Sequence, residues 1–144
     1  MNNLVEINDL FVEYETKKEF FKPAKHVYAV NGVNLEIKKG EILAIAGESG
    51  CGKSITAMSI LNLLPKTAHA TSGSIKFNER EILNLPEKEM QKIRGSKIAL
   101  IPQDPLTSLN PLYTIGNQLV EIIKLHQEVT NEEAKKKAIE ALNL

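Results

Sequence analysis

The sequence holds one cysteine, Cys51, in 144 residues. An internal disulfide is therefore excluded, and the thiol content fits a reducing compartment. Charge imbalance is also lacking, since 18 Lys plus Arg stand against 18 Asp plus Glu. There is neither the basic field that draws nucleic acid nor the acidic bias of a solvating tail, so no nucleic-acid partner is expected. No apolar run approaches the ~20 residues of a membrane-spanning helix. The first residues, MNNLVE, carry no basic stretch followed by an apolar one, so no secretory signal is read there and the expected location is the cytoplasm. Arginine occurs only at positions 80 and 94. Internal repeats and low-complexity segments are absent.

A chain of this length is expected to form one domain, burying roughly 70% of its unfolded surface. Apolar alternation predicts strands over residues 4–14, 27–30 and 33–37. Residues 42–46, ILAIA after Glu41, form a continuous apolar run that predicts a strand buried on both faces. The segment from Glu15 to His26, with four lysines, Phe20, Phe21 and Pro23, reads as a solvated hairpin excursion. Ile55, Met58 and Leu61 recur at helical spacing and predict a helix over 53–64, stopped by Pro65, with a loop over 65–74. Short strands near 74–77 and 97–101 should flank a helix begun by Pro86, whose missing N–H costs nothing in a first turn. Helices follow from 115 to about 126 and from 131 onward, the second opened by a capping box of Thr130 and Glu133.

Residues 47–54, GESGCGKS, stand between the apolar run and the first helix. Gly47, Gly52, Lys53 and Ser54 complete the phosphate-loop pattern, with Glu48, Ser49, Gly50 and Cys51 between them. With glycine at about 7% of average usage, a chance match is on the order of one in a hundred or less. The chemistry explains the residue types. Gly50 and Gly52 let the backbone curl so that its N–H groups point inward, and the start of the next helix adds positive potential. Lys53 can meet the β- and γ-phosphates, and the Ser54 hydroxyl can ligate Mg²⁺. A glycine-rich structural turn would not need Lys-Ser at that offset.

Residues 101–118, IPQDPLTSLNPLYTIGNQ, resemble the Q-loop region of ABC transporter ATPases, in the branch that serves oligopeptide, dipeptide and nickel importers. The resemblance runs through Ala29-Val30-x-Gly32-Val33, Lys39-Gly40-Glu41, the phosphate loop, Ser72-Gly73-Ser74-Ile75 and Ile93-Arg94-Gly95, in family order. It implies an α/β P-loop fold with an N-terminal antiparallel β-subdomain, residues 1–144 being the N-terminal part of one nucleotide-binding domain. It implies ATP and Mg²⁺ as ligands, with Tyr14 stacked on adenine and Gln103 contacting Mg²⁺ or the attacking water. Ordinary strand packing is the other role open to Tyr14. Pro102 stands where many relatives have phenylalanine. The implied partners are transmembrane permease subunits and a second ATPase subunit, identical or related, which would hold the chain at the inner face of the cell membrane.

The family's signature Leu-Ser-Gly-Gly-Gln, its Walker B strand ending in Asp-Glu, and its switch histidine do not occur in these 144 residues. The resemblance thus implies a portion cut before those motifs, with ATP binding but without full hydrolytic machinery. His26, His69 and His126 stand in unrelated sequence contexts. Three alternatives carry other functions. A small-molecule kinase would place its loop nearer the start and follow it with an arginine-rich lid, and a GTPase would carry Asn-Lys-x-Asp. A non-enzymatic fragment that binds nucleotide or docks on a membrane subunit shares all the motifs present.

Overall fold

Alternation of apolar and polar residues produces long antiparallel strands at the start of the chain. The computed structural model describes residues 3–15 and 26–143. The lysine-rich insert expected between Glu15 and His26 thus falls outside the described residues. Strands β1 (Asn3–Glu15), β2 (His26–Lys38), β3 (Ala68–Phe77) and β4 (Arg80–Glu81) form a sheet in the order β2-β1-β3-β4. Every pairing is antiparallel. The two strands expected at 27–30 and 33–37 are one element, with its register slipping around Gly32. The loop expected over 65–74 shrinks, because β3 begins at Ala68 and pairs with Tyr14.

Helices α1 (Lys53–Ile60), α2 (Glu87–Gln91), α3 (Ile115–His126) and α4 (Asn131–Leu142) follow, with a 3-10 turn over Pro105–Ser108 before α3. None of the described helices is long and apolar enough to cross a membrane. The chain divides into two compact units, Met1–Gln91 and Lys92–Leu144.

In the first unit the core is built on β1, where Val5, Ile7, Leu10 and Val12 are buried. Val30 of β2, Ile75 of β3, and Leu61, Ile82 and Met90 are buried as well. Helix α1 stops at Ile60, well before Pro65. Asn62 adopts a left-handed conformation (φ 50°), and the Leu63 N–H donates back to the Met58 carbonyl at 2.9 Å. This closure satisfies a terminal carbonyl and ends the helix before proline is reached. The buried residues within α1 are Thr56 and Ser59. Their hydroxyls donate to the carbonyls of Gly52 and Ile55, so each polar group stays paired.

The run at 41–46 departs from expectation. It carries no assigned strand, and Ile42 is 99% exposed. A strand buried on both faces needs hydrogen-bonding neighbours on either side. Among the described residues no strand pairs with it. Residues 97–101 depart in the same way, with one isolated bridge between Arg94 and Ile98 in place of a strand.

In the second unit α3 and α4 pack together. Ala134 and Ala138 are the buried positions of α4, small enough to let a neighbouring backbone approach. The capping box forms as the sequence indicates. The Glu133 N–H donates to Thr130 Oγ1 at 3.3 Å, and the Thr130 N–H donates to Glu133 Oε2 at 2.9 Å.

Candidate functional site

After β2 the chain turns at Lys39-Gly40, where the Glu41 N–H donates to the Lys38 carbonyl at 3.1 Å. It then runs through 41–46 into the phosphate loop and enters α1. The loop lies close against β2. A Cβ on Gly52 would sit 2.5 Å from the Ala29 carbonyl oxygen, and its φ of 93° already favours glycine. A side chain at this position would push the start of α1 away from the sheet.

Lys53 folds back over the loop. Its ammonium donates to the Gly47 carbonyl at 2.8 Å and the Glu48 carbonyl at 2.7 Å, and lies 3.4 Å from Cys51 Sγ. The positive charge is thereby held at the loop's centre. The Cys51 N–H turns toward the Glu48 carbonyl at 3.4 Å, while Ser49 and Gly50 are exposed at the turn. The first intrahelical bond of α1 runs from the Thr56 N–H to the Gly52 carbonyl at 2.8 Å. The N–H groups of Lys53, Ser54 and Ile55 therefore have no partner within the helix, and no side chain caps them. Together with the positive end of the helix dipole they form a set of donors suited to an anion.

These groups border a cavity of about 230 Å³. Residues 50–55 form one wall, and Tyr14 and Ala29 form another. Tyr14 stands near the end of β1, paired with Val27 and Ala68. Tyr14 thus lines one cavity together with Lys53, Ser54 and the first residues of α1. The ring suits a purine, the ammonium and the N–H donors suit a chain of phosphates, and the hydroxyl is a fitting oxygen ligand for Mg²⁺.

Within the first unit the structure therefore brings Tyr14 together with the loop, although 33 or more residues separate them in sequence. Gln103 belongs to the second unit, where it is exposed just before the 3-10 turn. Nothing local marks Ala29 as part of the wall, because a small strand residue has no sequence signature. His26 and His69 stand far apart along the chain, yet both meet Glu13 in the structure. His26 Nδ1 lies 3.2 Å and His69 Nε2 3.1 Å from the same carboxylate oxygen. Only the strand pairing could reveal that cluster.

Comparison with known proteins gives the family. The chain is 45% identical over 142 residues to a probable peptide ABC transporter ATP-binding protein of Sinorhizobium fredii, covering 98% of this chain and 41% of that protein. It is 41% identical over 145 residues to an oligopeptide transport ATP-binding protein of Bacillus subtilis, covering 100% of this chain and 39% of the relative. It thus spans about two fifths of the length of these curated relatives. Among solved structures, a dimeric ATP-binding cassette in a post-hydrolysis state, bound to ADP and Pi, superposes with a TM-score of 0.76 at 29% identity. That match covers 96% of this chain and 56% of the cassette. The fold is accordingly that of an ABC ATPase cassette, with its antiparallel β-subdomain at the N-terminal side. The sequence pattern described as ABC transporter matches residues 30–144, and the chain belongs to that family.

Proposed function

We propose that the chain is the nucleotide-binding part of a peptide-type ABC importer's ATP-binding subunit, both compact units belonging to one nucleotide-binding domain. The family match across residues 30–144 spans the boundary between the units and supports the single domain. One observation carries the site: the Lys53 ammonium sits on the Gly47 and Glu48 carbonyls at the uncapped start of α1, in a cavity shared with Tyr14.

In this reading Lys53 exchanges its loop carbonyls for the β- and γ-phosphate oxygens, and the N–H groups of residues 52–55 hold the remaining phosphate charge. Gly47, Glu48, Ser49, Gly50 and Cys51 supply the backbone of the loop. Ser54 would ligate Mg²⁺ through its hydroxyl and Tyr14 would stack on the base, while Gln103, in the second unit, is the glutamine that the family resemblance assigns to Mg²⁺ or the attacking water. When bound, MgATP supplies the phosphoanhydride whose hydrolysis the parent subunit couples to solute uptake. The partners are permease subunits in the membrane and a second ATP-binding subunit, and the chain works at the inner membrane face through the permease. The transport names of the relatives and the dimeric state of the matched cassette support these partners.

Calorimetric titration tests the reading. MgATP should bind saturably to the wild-type chain, and Lys53→Ala should remove detectable binding, because it deletes the cation facing the phosphates. Equal affinity in the two proteins refutes the assignment.

A further inference from the structure

Glu13 is 9% exposed, and the other buried polar or charged residues described are Thr56 and Ser59. Those two bond within their own helix, whereas Glu13 reaches across strands. Its Oε1 meets His26, the first residue of β2, and His69, the second residue of β3. An ionised carboxylate oxygen accepts from an imidazole N–H, so the arrangement suits a His69 tautomer that carries its proton on Nε2, with His26 Nδ1 close beside the same oxygen. One oxygen therefore ties all three long strands together.

The place of this tie matters. The register of β1 against β2 slips between Val12 and Glu13, and against β3 it slips between Phe11 and Val12. Past these slips the end of β1 pairs in a new register, Glu13 and Tyr14 facing Tyr28 and Val27 on one side and His69 and Ala68 on the other. Glu13 lies just past both slips, and the next residue is Tyr14. Strand alternation sends Glu13 to one face and Tyr14, which lines the cavity, to the other. Among the described neighbours, Glu15 is exposed opposite His26, and the ring of Tyr28 meets Phe11 edge-on at 6.3 Å.

We infer that Glu13 is a positioning residue: by holding His26 and His69 it fixes the strand ends around Tyr14 and so sets affinity for the base of a nucleotide, without touching the phosphates. This rests on the nucleotide-site reading above.

The test compares MgATP with Mg-tripolyphosphate, which has phosphates but no base, by calorimetry on the full chain. Tyr14→Ala should weaken ATP about five- to a hundredfold and leave tripolyphosphate unchanged. Glu13→Ala should imitate it, and Glu13→Gln, whose amide oxygen still accepts, should stay near wild type. Adding Glu13→Ala to Tyr14→Ala should produce no further loss, because the carboxylate acts through the ring. His26→Ala and His69→Ala remove half-exposed side chains, and each should weaken ATP selectively even if Glu13→Ala does not fold. Equal weakening of both ligands, unchanged ATP affinity in the Glu13 and histidine variants, a Gln variant as weak as the Ala variant, or additive losses with Tyr14→Ala would overturn the inference. Lys53-dependent tripolyphosphate binding with any of those results sinks the inference alone. Wild-type protein that binds neither ligand sinks the nucleotide-site reading and the inference together.

Discussion

Cys51 places an exposed thiol inside the phosphate loop, 3.4 Å from the Lys53 ammonium and on the wall of the cavity. A maleimide attached there would occupy the space that the proposed phosphate site requires. Alkylation of Cys51 is therefore expected to abolish nucleotide binding, and saturating MgATP should slow the alkylation. Identical labelling rates with and without MgATP would show that the thiol lies outside the occupied volume. Gly52 sets a second limit at this scale. Gly52→Ala would bring a Cβ within 2.5 Å of the Ala29 carbonyl oxygen, at a backbone angle that side chains rarely adopt. The strain should destabilise the chain by about 1–3 kcal/mol, read by urea unfolding, and displace the helix-end donors. A Gly52→Ala variant as stable as wild type and equally able to bind ATP would mean that the loop has slack.

At the scale of elements, the β3–β4 turn depends on one carboxylate. Burial by itself would raise the Glu81 carboxyl, but hydrogen bonds from the Ser74 hydroxyl and the N–H groups of Leu83, Ile75 and Ile82 outweigh it. The ionised group accepts from Ile75 and Leu83 at 3.0 Å each, and from Ser74. Its affinity for protons is thereby held below the ordinary glutamate range. A group depressed on folding adds stability above its unfolded value, and that stability is lost as pH falls through the folded value. Glu81→Gln should accordingly be less stable than wild type near neutrality. The difference should fade in acid, below the ordinary glutamate range. Urea midpoints across that range measure it, and a gap that stays constant with pH would assign the effect to packing.

Over the whole molecule, the apolar residues that no described element covers dominate the solution behaviour. Ile42 is 99% exposed and Ile101 88% exposed, each within a run that carries no assigned strand. Exposed apolar runs with unpaired backbone favour association. A polypeptide of these 144 residues should self-associate in a concentration-dependent way, and Ile42→Lys with Ile101→Lys should shift its sedimentation toward monomer. Unchanged sedimentation would place the sticky surface elsewhere.

What local chemistry can specify was legible from the residues before any fold was known. Glycine spacing and Lys53-Ser54 announced the loop, Thr130 and Glu133 announced the start of α4, and alternation announced β1 and β2. Each signal acts over a few residues, through turn sterics, capping or one-sided burial, so it is readable without the rest of the chain. The family resemblance implied that Tyr14 serves the loop's nucleotide, but the cavity the two share, and the meeting of Glu13 with His26 and His69, came only from the folded chain, because both depend on which strands pair and in which register. So did the exclusion of residues 42–46 from the sheet despite their apolar pattern. Hydrophobicity makes a segment able to be a buried strand, but a strand exists only where neighbouring backbones accept and donate its hydrogen bonds.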